Sequence, residues 1–182
     1  MAAEIICVGT ELLLGDILNT NSQYLAKELA ALAVPHFYQT VVGDNVDRVH
    51  QAIEIAAKRS SILIFTGGLG PTPDDLTTES IASYFKTSLV EHPEVIADIE
   101  RKYAHRGRKM TASNRKQALQ PVGADILPNP LGTAPGMIWQ PREGLTIFTF
   151  PGVPREMYRM WRDTAVPFLK TLGYGQNTIY SR

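Results

Sequence analysis

The stretch Ile62-Leu63-Ile64-Phe65-Thr66-Gly67-Gly68-Leu69-Gly70-Pro71-Thr72-Pro73-Asp74-Asp75 decides the fold of this chain. Its first four residues are apolar and lie between polar neighbours, which predicts a strand buried on both faces, as in a central parallel sheet. The strand runs into a loop with three glycines, where the backbone can take positive φ and approach a ligand closely. A helix then begins and presents unpaired N–H groups. The stretch predicts an anion-binding loop, although a simple tight turn would also fit.

The residues before this stretch alternate between strand and helix patterns. Ile5 to Val8 and His36 to Val42 are typical of strands. Apolar residues at helical spacing follow each strand, and Asp44-Asn45 offers an N-cap for the second helix. These helical positions are Leu25, Leu29 and Leu32, then Val46, Val49, Ile53 and Ala56. The β-α-β-α-β order predicts an α/β fold with a mostly parallel sheet and helices on both sides.

After a third helix from about Leu76 to Phe85, the region 93–120 predicts one or two helices broken near Gly107. Seven of the eighteen basic residues fall within 101–116. A solvated helical face would explain most of them, but one or two, such as Arg115, could lean over a ligand. Short strands follow at 125–127, 137–139 and 145–150, the last two as a β-hairpin, and then helices from 154 to about 172. We expect one domain over 1–172, with 173–182 as a linker or the start of a further part that includes the strand-like fragment Thr178-Ile179-Tyr180.

Charge and apolar content exclude several classes of partner. Eighteen basic and eighteen acidic residues cancel, so no global field favours nucleic acid or an anionic membrane. No apolar run reaches the length of a membrane span and no signal-like leader precedes the first strand, which predicts a cytoplasmic protein. The single cysteine, Cys7, lies in a strand pattern and is expected to be a small buried hydrophobe rather than a nucleophile.

Acidic residues gather in the loops that should follow the parallel strands. Asp74 and Asp75 could cap the third helix, and Thr72 with Asp75 matches a capping box. One cap needs one residue, however, and Glu11 and Asp44 should share the same edge of the sheet. Unit charges about 4 Å apart repel by roughly 4 kcal/mol at an effective dielectric near 20. We therefore expect a divalent cation such as Mg²⁺ to be held by Asp75, Asp44 and Glu11 beside a diphosphate.

Familiar nucleotide motifs do not explain this loop. No Gly-Lys-Ser/Thr follows the glycines, and Pro73 stands where the third glycine of the dinucleotide fingerprint belongs. The chain also has no Gly-x-Ser-x-Gly elbow. A second Gly/Pro loop contains Asn129, Thr133 and Gly136, and Glu156 begins a late helix. By themselves these residues would indicate only turns.

Four motifs in this order resemble the N-terminal domain of the CinA (competence/damage-inducible) family over about residues 4–160. They are Gly9-Thr10-Glu11-Leu12-Leu13 with Gly15 and Asn19-Thr20-Asn21; Gly67-Gly68-Leu69-Gly70-Pro71-Thr72 with Asp74, Asp75 and Thr77; Asn129-Pro130 with Gly132-Thr133-Ala134-Pro135-Gly136; and Phe150-Pro151-Gly152-Val153-Pro154 with Glu156-Met157. The wider superfamily is the molybdopterin-binding domain shared with molybdopterin adenylyltransferases of the MoaB and MogA type. In that superfamily, Asp44 and Asp75 match two acidic positions that carry function.

The resemblance implies a three-layer α/β/α fold and metal-dependent hydrolysis of the ADP-ribose pyrophosphate to AMP and ribose 5-phosphate. The catalytic carboxylates would be Asp75, Asp44, Glu11, Asp74 and Glu156. Ligand-binding positions would be Thr10, Gly67, Gly68, Leu69, Gly70, Pro71, Thr72, Asn129, Thr133 and Gly136. It also implies a homo-oligomer and, in a longer chain, a C-terminal domain that deamidates nicotinamide mononucleotide. Two alternatives stay open: a module that binds a pterin or nucleotide without turnover, and molybdopterin adenylyl transfer.

Overall fold

A six-stranded sheet forms the centre of the protein in this computed structural model, which describes residues 2–175. The strands are β1 (Ala3–Val8), β2 (His36–Val42), β3 (Ile62–Thr66), β4 (Leu89–Glu91), β5 (Leu119–Pro121), β6 (Asp125–Leu127), β7 (Gly136–Arg142) and β8 (Leu145–Phe150). The sheet order is β2-β1-β3-β8-β7-β6, in which β2, β1, β3 and β8 are parallel, β7 pairs antiparallel with β8, and β6 pairs antiparallel with β7. Strands β4 and β5 pair separately.

Helices flank the sheet on both faces. They are α1 (Thr10–Leu14), α2 (Thr20–Ala31), α3 (Val46–Arg59), α4 (Thr77–Tyr84), α5 (Pro93–His105), a 3-10 helix (Ala112–Ala118), α6 (Pro154–Met160), a π-helical turn (Trp161–Ala165) and α7 (Val166–Thr171). Helices α2, α6 and α7 pack on one face, and α3 and α4 pack on the other. The predicted three-layer α/β/α architecture, with its mostly parallel sheet and short hairpin, is confirmed.

The period-two alternation of β1 and β3 explains the layers. Ile5 and Ile64 point into the layer that contains Trp161, whereas Ile6 and Phe65 point into the layer that contains Ile53. All six side chains are fully buried. A strand that is apolar at every position is therefore covered on both sides, as the sequence predicted.

The register of the parallel strands brings their carboxyl ends to one edge. Val8 lies opposite Val42, Cys7 opposite Thr66, and Thr66 opposite Phe150. The loops that begin at 9, 43, 67 and 151 consequently meet. In a parallel α/β sheet this edge is where ligands bind.

Three local elements differ from the sequence prediction. The turn after β1 contains the five-residue helix α1, which we did not predict. The break near Gly107 is confirmed, but the segment beyond it is a 3-10 helix and ends before Leu119, so Leu119 and Gln120 belong to β5 rather than to a helix. Strands β4 and β5 were missed because three residues show no periodicity, whereas the equally short β6 was predicted from the Pro/Gly residues around it.

Two further predictions concern the ends of the chain and the membrane. The strand-like fragment Thr178-Ile179-Tyr180 lies outside the described residues. None of the helices within residues 2–175 combines the length and apolar character needed to cross a bilayer.

Candidate functional site: a cleft at the carboxyl edge of the sheet

A cleft of about 890 Å³ opens where the four parallel strands end. Volumes of this size are typical of small-molecule sites. All five predicted catalytic carboxylates line it: Glu11, Asp44, Asp74, Asp75 and Glu156. Apolar side chains, among them Leu12, Ile17, Leu18 and Val153, line another part of its wall. The cleft lining thus combines polar and apolar side chains.

The glycine loop needs glycine for two separate reasons. Gly67 and Gly68 have φ values of 96° and 66°, a region that side chains rarely adopt. A Cβ on Gly67 would lie 2.1 Å from the carbonyl oxygen of Val8, and one on Gly68 would lie 2.3 Å from Oγ1 of Thr77. The loop therefore packs directly against β1 and the start of α4. This close approach holds its backbone at the edge of the cleft.

The carbonyl groups of this loop are tied to the protein, whereas three of its amides are not. Thr77 donates from its backbone N–H to the Gly68 carbonyl (3.1 Å) and from Oγ1 to the Gly67 carbonyl (2.8 Å). The N–H groups of Gly68, Leu69 and Gly70 have no protein acceptor within residues 2–175. Neighbouring unpaired amides with their carbonyls turned elsewhere form an anion-binding arrangement. The loop thus has three N–H groups without a protein acceptor, and anion binding by them stays a prediction.

The 3-10 helix braces the same loop from outside. Gln117 donates from Nε2 to the Leu69 carbonyl at 3.4 Å, and Lys116 donates from Nζ to the Thr72 carbonyl at 3.2 Å. Lys116 also forms an ion pair with Glu79 on α4. Part of the basic segment is therefore structural, because it fixes loop carbonyls rather than contacting the cleft as a charge.

Asp44 and Asp75 are each held by one threonine in the same way. Asp44 accepts from the backbone N–H and the hydroxyl of Thr10 through its Oδ2 atom, both at 2.8 Å. Asp75 accepts from the backbone N–H and the hydroxyl of Thr72 through Oδ2, at 2.9 and 2.5 Å. In the described part of the chain, the other oxygen of each carboxylate has no protein donor. Each aspartate is anchored on one side and keeps an acceptor for a further group.

These contacts decide against helix capping as the role of the aspartates. Asn45, not Asp44, is the N-cap of α3, where its side chain accepts from the backbone N–H of Arg48. Leu76 occupies the N-cap position of α4 and makes no side-chain cap, so neither Asp74 nor Asp75 caps that helix. The Thr72–Asp75 contact closes the turn before the helix instead. The Thr72–Asp75 contact of the predicted capping box is present, but it lies before α4 and does not cap that helix.

Three carboxylates pack against glycines. A Cβ on Gly9 would lie 2.7 Å from Oε1 of Glu11, and one on Gly70 would lie 2.5 Å from Oδ2 of Asp75. A Cβ on Gly132 would lie 2.1 Å from Oε2 of Glu156. The glycines in these loops therefore provide the space that the cleft carboxylates occupy.

The second Gly/Pro loop is organised by Asn129. Its Oδ1 accepts from the backbone N–H groups of Leu131 and Gly132, at 3.1 and 2.8 Å. Its Nδ2 donates to the Ala134 carbonyl (2.9 Å) and to Oε2 of Glu156 (2.8 Å). Asn129 is thus buried behind the cleft wall, where it shapes the loop and orients Glu156.

The other predicted ligand-binding residues divide into two groups. The lining of the cleft includes Gly67, Gly68, Leu69, Gly70, Pro71 and Thr133. Thr10 and Thr72 do not line it but hold the two aspartates. Gly136 lies against β8, where a Cβ would be 1.9 Å from the Thr149 carbonyl oxygen, so glycine there serves strand pairing.

The predicted three-carboxylate metal site is not assembled by side chains alone. Within residues 2–175, no three Asp, Glu, His or Cys side chains lie close enough together to hold a metal ion. Glu11, Asp44 and Asp75 share the cleft without forming such a cluster. Any ion bound there would need further oxygen ligands.

Sequence reasoning did not place three of the lining residues in the cleft. Asn21 lies in the first turn of α2, and a second asparagine just after the N-cap Asn19 was the available signal. Arg106 is the one Lys or Arg among the residues of 2–175 that line the cleft, whereas Arg115 is bound to Glu91. Cys7 also lines the cleft but is 1% exposed, and burial raises the pKa of its thiol, with a smaller opposing effect from its hydrogen bond to Asn19.

Comparison with known proteins identifies close relatives. A family model described as "Probable molybdopterin binding domain" matches residues 4–171. CinA-like proteins from Rippkaea orientalis and Trichormus variabilis are each 72% identical to this chain over all 182 residues. The chain spans 44% of the length of either relative.

Solved structures share the fold. The protein CinA from Thermoplasma acidophilum, described as having unknown function, superposes with a TM-score of 0.84 and 32% identity over 91% of this chain and 96% of that one. The molybdopterin biosynthesis enzyme MoaB from Thermus thermophilus superposes with a TM-score of 0.63 and 17% identity, covering 94% of this chain and 92% of that one. At that identity the MoaB comparison shows the fold alone.

Proposed function

The chain belongs to the CinA family and to its molybdopterin-binding-like domain, and on this premise we propose that the cleft binds a phosphorylated nucleotide or pterin. The unpaired amides of Gly68, Leu69 and Gly70 carry this proposal, because they are neighbouring N–H donors in the cleft lining with no acceptor within residues 2–175. The apolar wall around Ile17 and Leu18 suits a planar ring. Arg106 at the cleft adds a cation for the anionic group.

A second candidate goes further, to metal-dependent hydrolysis of the pyrophosphate bond of ADP-ribose. The observation in its favour is the set of five carboxylates around the amide loop, more than a binding site for an anion requires. A diphosphate beside them would be repelled unless a cation intervened. Binding without turnover accounts for the amide loop alone, whereas hydrolysis accounts for both the amide loop and the five carboxylates.

The donor set is compatible with a hard divalent ion. Mg²⁺ prefers oxygen ligands and is commonly held by one or two carboxylates together with substrate phosphates. Asp44 and Asp75, each with one oxygen left over by its threonine, would supply the protein ligands, with Glu11 near them in the lining. When bound, the ion would neutralise phosphate charge and polarise the phosphorus centre.

The residues of the chain would then divide the work of hydrolysis. The amides of the glycine loop hold the diphosphate, and Arg106 draws its charge into the cleft. A carboxylate among Asp74, Glu11 and Glu156 takes a proton from a water molecule as its oxygen attacks phosphorus, and the bridging P–O bond breaks to leave AMP and ribose 5-phosphate. Glu156 is oriented for such a role by the N–H of Asn129.

Incubation with ADP-ribose, with and without Mg²⁺, tests the two candidates. Metal-dependent appearance of AMP and ribose 5-phosphate, resolved by chromatography, supports hydrolysis. Tight binding by calorimetry without product over hours supports a binding domain. An adenylylated product formed from ATP and molybdopterin would instead support adenylyl transfer, the remaining alternative. Glu54→Gln is a matched control, because Glu54 is an exposed acid on α3 that pairs with Lys58 away from the cleft.

Further proposals concern the protein beyond this domain. Because the relatives are more than twice as long, the activity of a longer chain, including a C-terminal deamidase domain, remains a proposal. We propose a homo-oligomer in the cytoplasm on the basis of the family alone. Size-exclusion chromatography with light scattering tests the oligomeric state.

A further inference from the structure

Asn21 is the most deeply buried polar side chain of the cleft wall that has an unused hydrogen-bonding atom. It lies in the first turn of α2, is 7% exposed, and lines the cleft together with Thr66 and Gly152. Its Oδ1 atom has no hydrogen-bond partner in the described part of the chain. A buried acceptor without a partner is costly, so its presence at a ligand cleft calls for an explanation.

The orientation of this amide is fixed by its neighbours. Nδ2 of Asn21 lies 2.9 Å from the Gly152 carbonyl oxygen and 2.8 Å from Oγ1 of Thr66. A backbone carbonyl can only accept, so the atom that faces it must be the NH₂ group. Both N–H bonds are then used, and the unpaired atom must be the oxygen.

Two other asparagines at the same edge show that Asn21 is unusual. Asn19 uses Oδ1 to cap α2 by accepting from the backbone N–H of Ser22, so the helix does not need a second cap. Asn129 uses Oδ1 twice and Nδ2 twice. Of these three amides, that of Asn21 alone has its donors satisfied while its buried oxygen has no partner within residues 2–175.

We propose that Oδ1 of Asn21 accepts a hydrogen bond from a hydroxyl or N–H group of the ligand, on the fragment joined to its phosphate. This inference rests on the proposed function, because it takes the cleft as the ligand site. Asn21 is bonded to Thr66, the residue before the glycine loop, so a ligand whose phosphate meets the loop amides has its adjoining fragment near Asn21. An acceptor at this position favours a sugar hydroxyl or ring N–H and disfavours inorganic phosphate or pyrophosphate alone.

A ligand series tests the proposal by calorimetry in the presence of Mg²⁺. The probes are ADP, 2′-deoxy-ADP, 3′-deoxy-ADP, inosine diphosphate and pyrophosphate, which separate the sugar donors from the amino group of the base. We expect the removal of one of these ligand groups, a sugar hydroxyl or the amino group of the base, to weaken binding to the wild-type chain by about 10-fold. That analogue leaves the buried oxygen of Asn21 unpaired. In Asn21→Ala the same removal should change binding less than about 2-fold, because the coupling is lost.

Two controls keep the result interpretable. Glu54→Gln changes an exposed acid on α3 away from the cleft, so it should retain the preference of the wild-type chain within the series. If Asn21→Ala does not fold, the wild-type series remains decisive. The side-chain NH₂ resonance of Asn21 in ¹⁵N-labelled protein should then shift with ADP and not with the weakened analogue.

The outcomes separate this inference from the proposed function. Equal affinity for all nucleotide probes, with AMP still released from ADP-ribose, overturns the role of Asn21 and leaves hydrolysis standing. Selective binding without product overturns hydrolysis and leaves Asn21 as a recognition residue. Absence of binding by every probe, together with no release of AMP from ADP-ribose, overturns both.

Discussion

The carboxylates at the two ends of the parallel strands differ in their burial and in how many of their oxygens accept hydrogen bonds. At the amino end, Glu4 of β1 is 1% exposed, and both of its carboxylate oxygens have donors. Arg59 donates to Oε2 and Oε1 at 2.9 and 2.7 Å, and Thr40 donates to Oε1 at 3.1 Å. At the carboxyl end, Asp44 and Asp75 are more exposed and each uses one oxygen.

This difference separates a structural charge from a functional one. A buried carboxylate whose hydrogen bonds are completed by the protein has no capacity left for a ligand, and it links the elements that supply its donors. A carboxylate held on one side keeps its position and still accepts a further group. The unpaired amides of Gly68 to Gly70 and the open oxygen of Asn21 repeat the second arrangement at the same end of the sheet.

The largest expected effect is at the carboxyl end. Asp75→Asn should abolish metal-dependent release of AMP from ADP-ribose, because the variant removes a negative ligand charge. The free energy of unfolding should change by no more than about 1–2 kcal/mol, the range of a weakened hydrogen bond, since Asn can still accept from Thr72. Product analysis and urea unfolding measure the two effects. Full activity in this variant would remove Asp75 from the proposed chemistry.

At the amino end we expect a substitution to lower stability and to leave ligand affinity unchanged. Arg59→Met leaves the buried Glu4 carboxylate without its cation and should lower the free energy of unfolding more than Asp75→Asn does. Ligand affinity of the folded fraction should stay unchanged. Urea unfolding at neutral pH measures the loss, and the Glu4→Gln, Arg59→Met double variant should recover part of it. A loss below about 1 kcal/mol would place this pair with exposed surface ion pairs.

A methyl group at Gly70 should displace the Asp75 carboxylate at the carboxyl end of the strands. The new Cβ would lie 2.5 Å from Oδ2 of Asp75, so the carboxylate must move. Misplacement by about 1 Å can cost up to roughly 100-fold in rate, and we expect Gly70→Ala to lose about 10- to 100-fold in turnover. Steady-state kinetics checks the loss. Adding Asp75→Asn to this variant should cost less than it does alone, and full additivity would show that the two positions act independently.

A smaller effect is expected from the basic segment. Arg106→Ala should weaken ADP-ribose binding by about 2- to 5-fold, the range of an exposed ion pair, and the effect should shrink at high salt. Arg115→Ala is the matched control, because that guanidinium is already bound to Glu91. Calorimetry at two salt concentrations measures both. Equal losses in the two variants would indicate general electrostatics rather than contact with the ligand.

The comparison of Arg106 with Arg115 also shows what could be predicted from the sequence. Apolar runs and glycine spacing were sufficient for the central strand and its loop, because both depend on neighbouring residues. The meeting of Glu11, Asp44 and Asp75 at one edge followed from parallel topology. Which arginine reaches the cleft depends on the path of α5 and the turn at Gly107, and no local pattern encodes that path.

Hydrogen-bond partners were the least predictable part of the site. Thr10 and Asp44 are 34 residues apart, and their contact exists only because Val8 and Val42 end their strands side by side. The choice between Asp44 and Asn45 as the cap of α3 was a competition between adjacent residues that either could win. The open oxygen of Asn21 could be identified only once the positions of Thr66 and Gly152 were known.

The smallest expected effect concerns Cys7, a cleft residue that resembles the amino end in being fully buried. Burial raises the pKa of its thiol, so the thiolate forms only at higher pH than in an exposed cysteine. Alkylation by iodoacetamide at neutral pH should therefore be slow in the folded chain and as fast as for an exposed cysteine in urea. Mass spectrometry of this single-cysteine chain measures both rates. Because the folded pKa is raised, the contribution of Cys7 to stability is present below the unfolded pKa and is lost as the pH rises through the folded one. Rapid alkylation of the folded chain at neutral pH would instead identify Cys7 as a reactive group of the cleft.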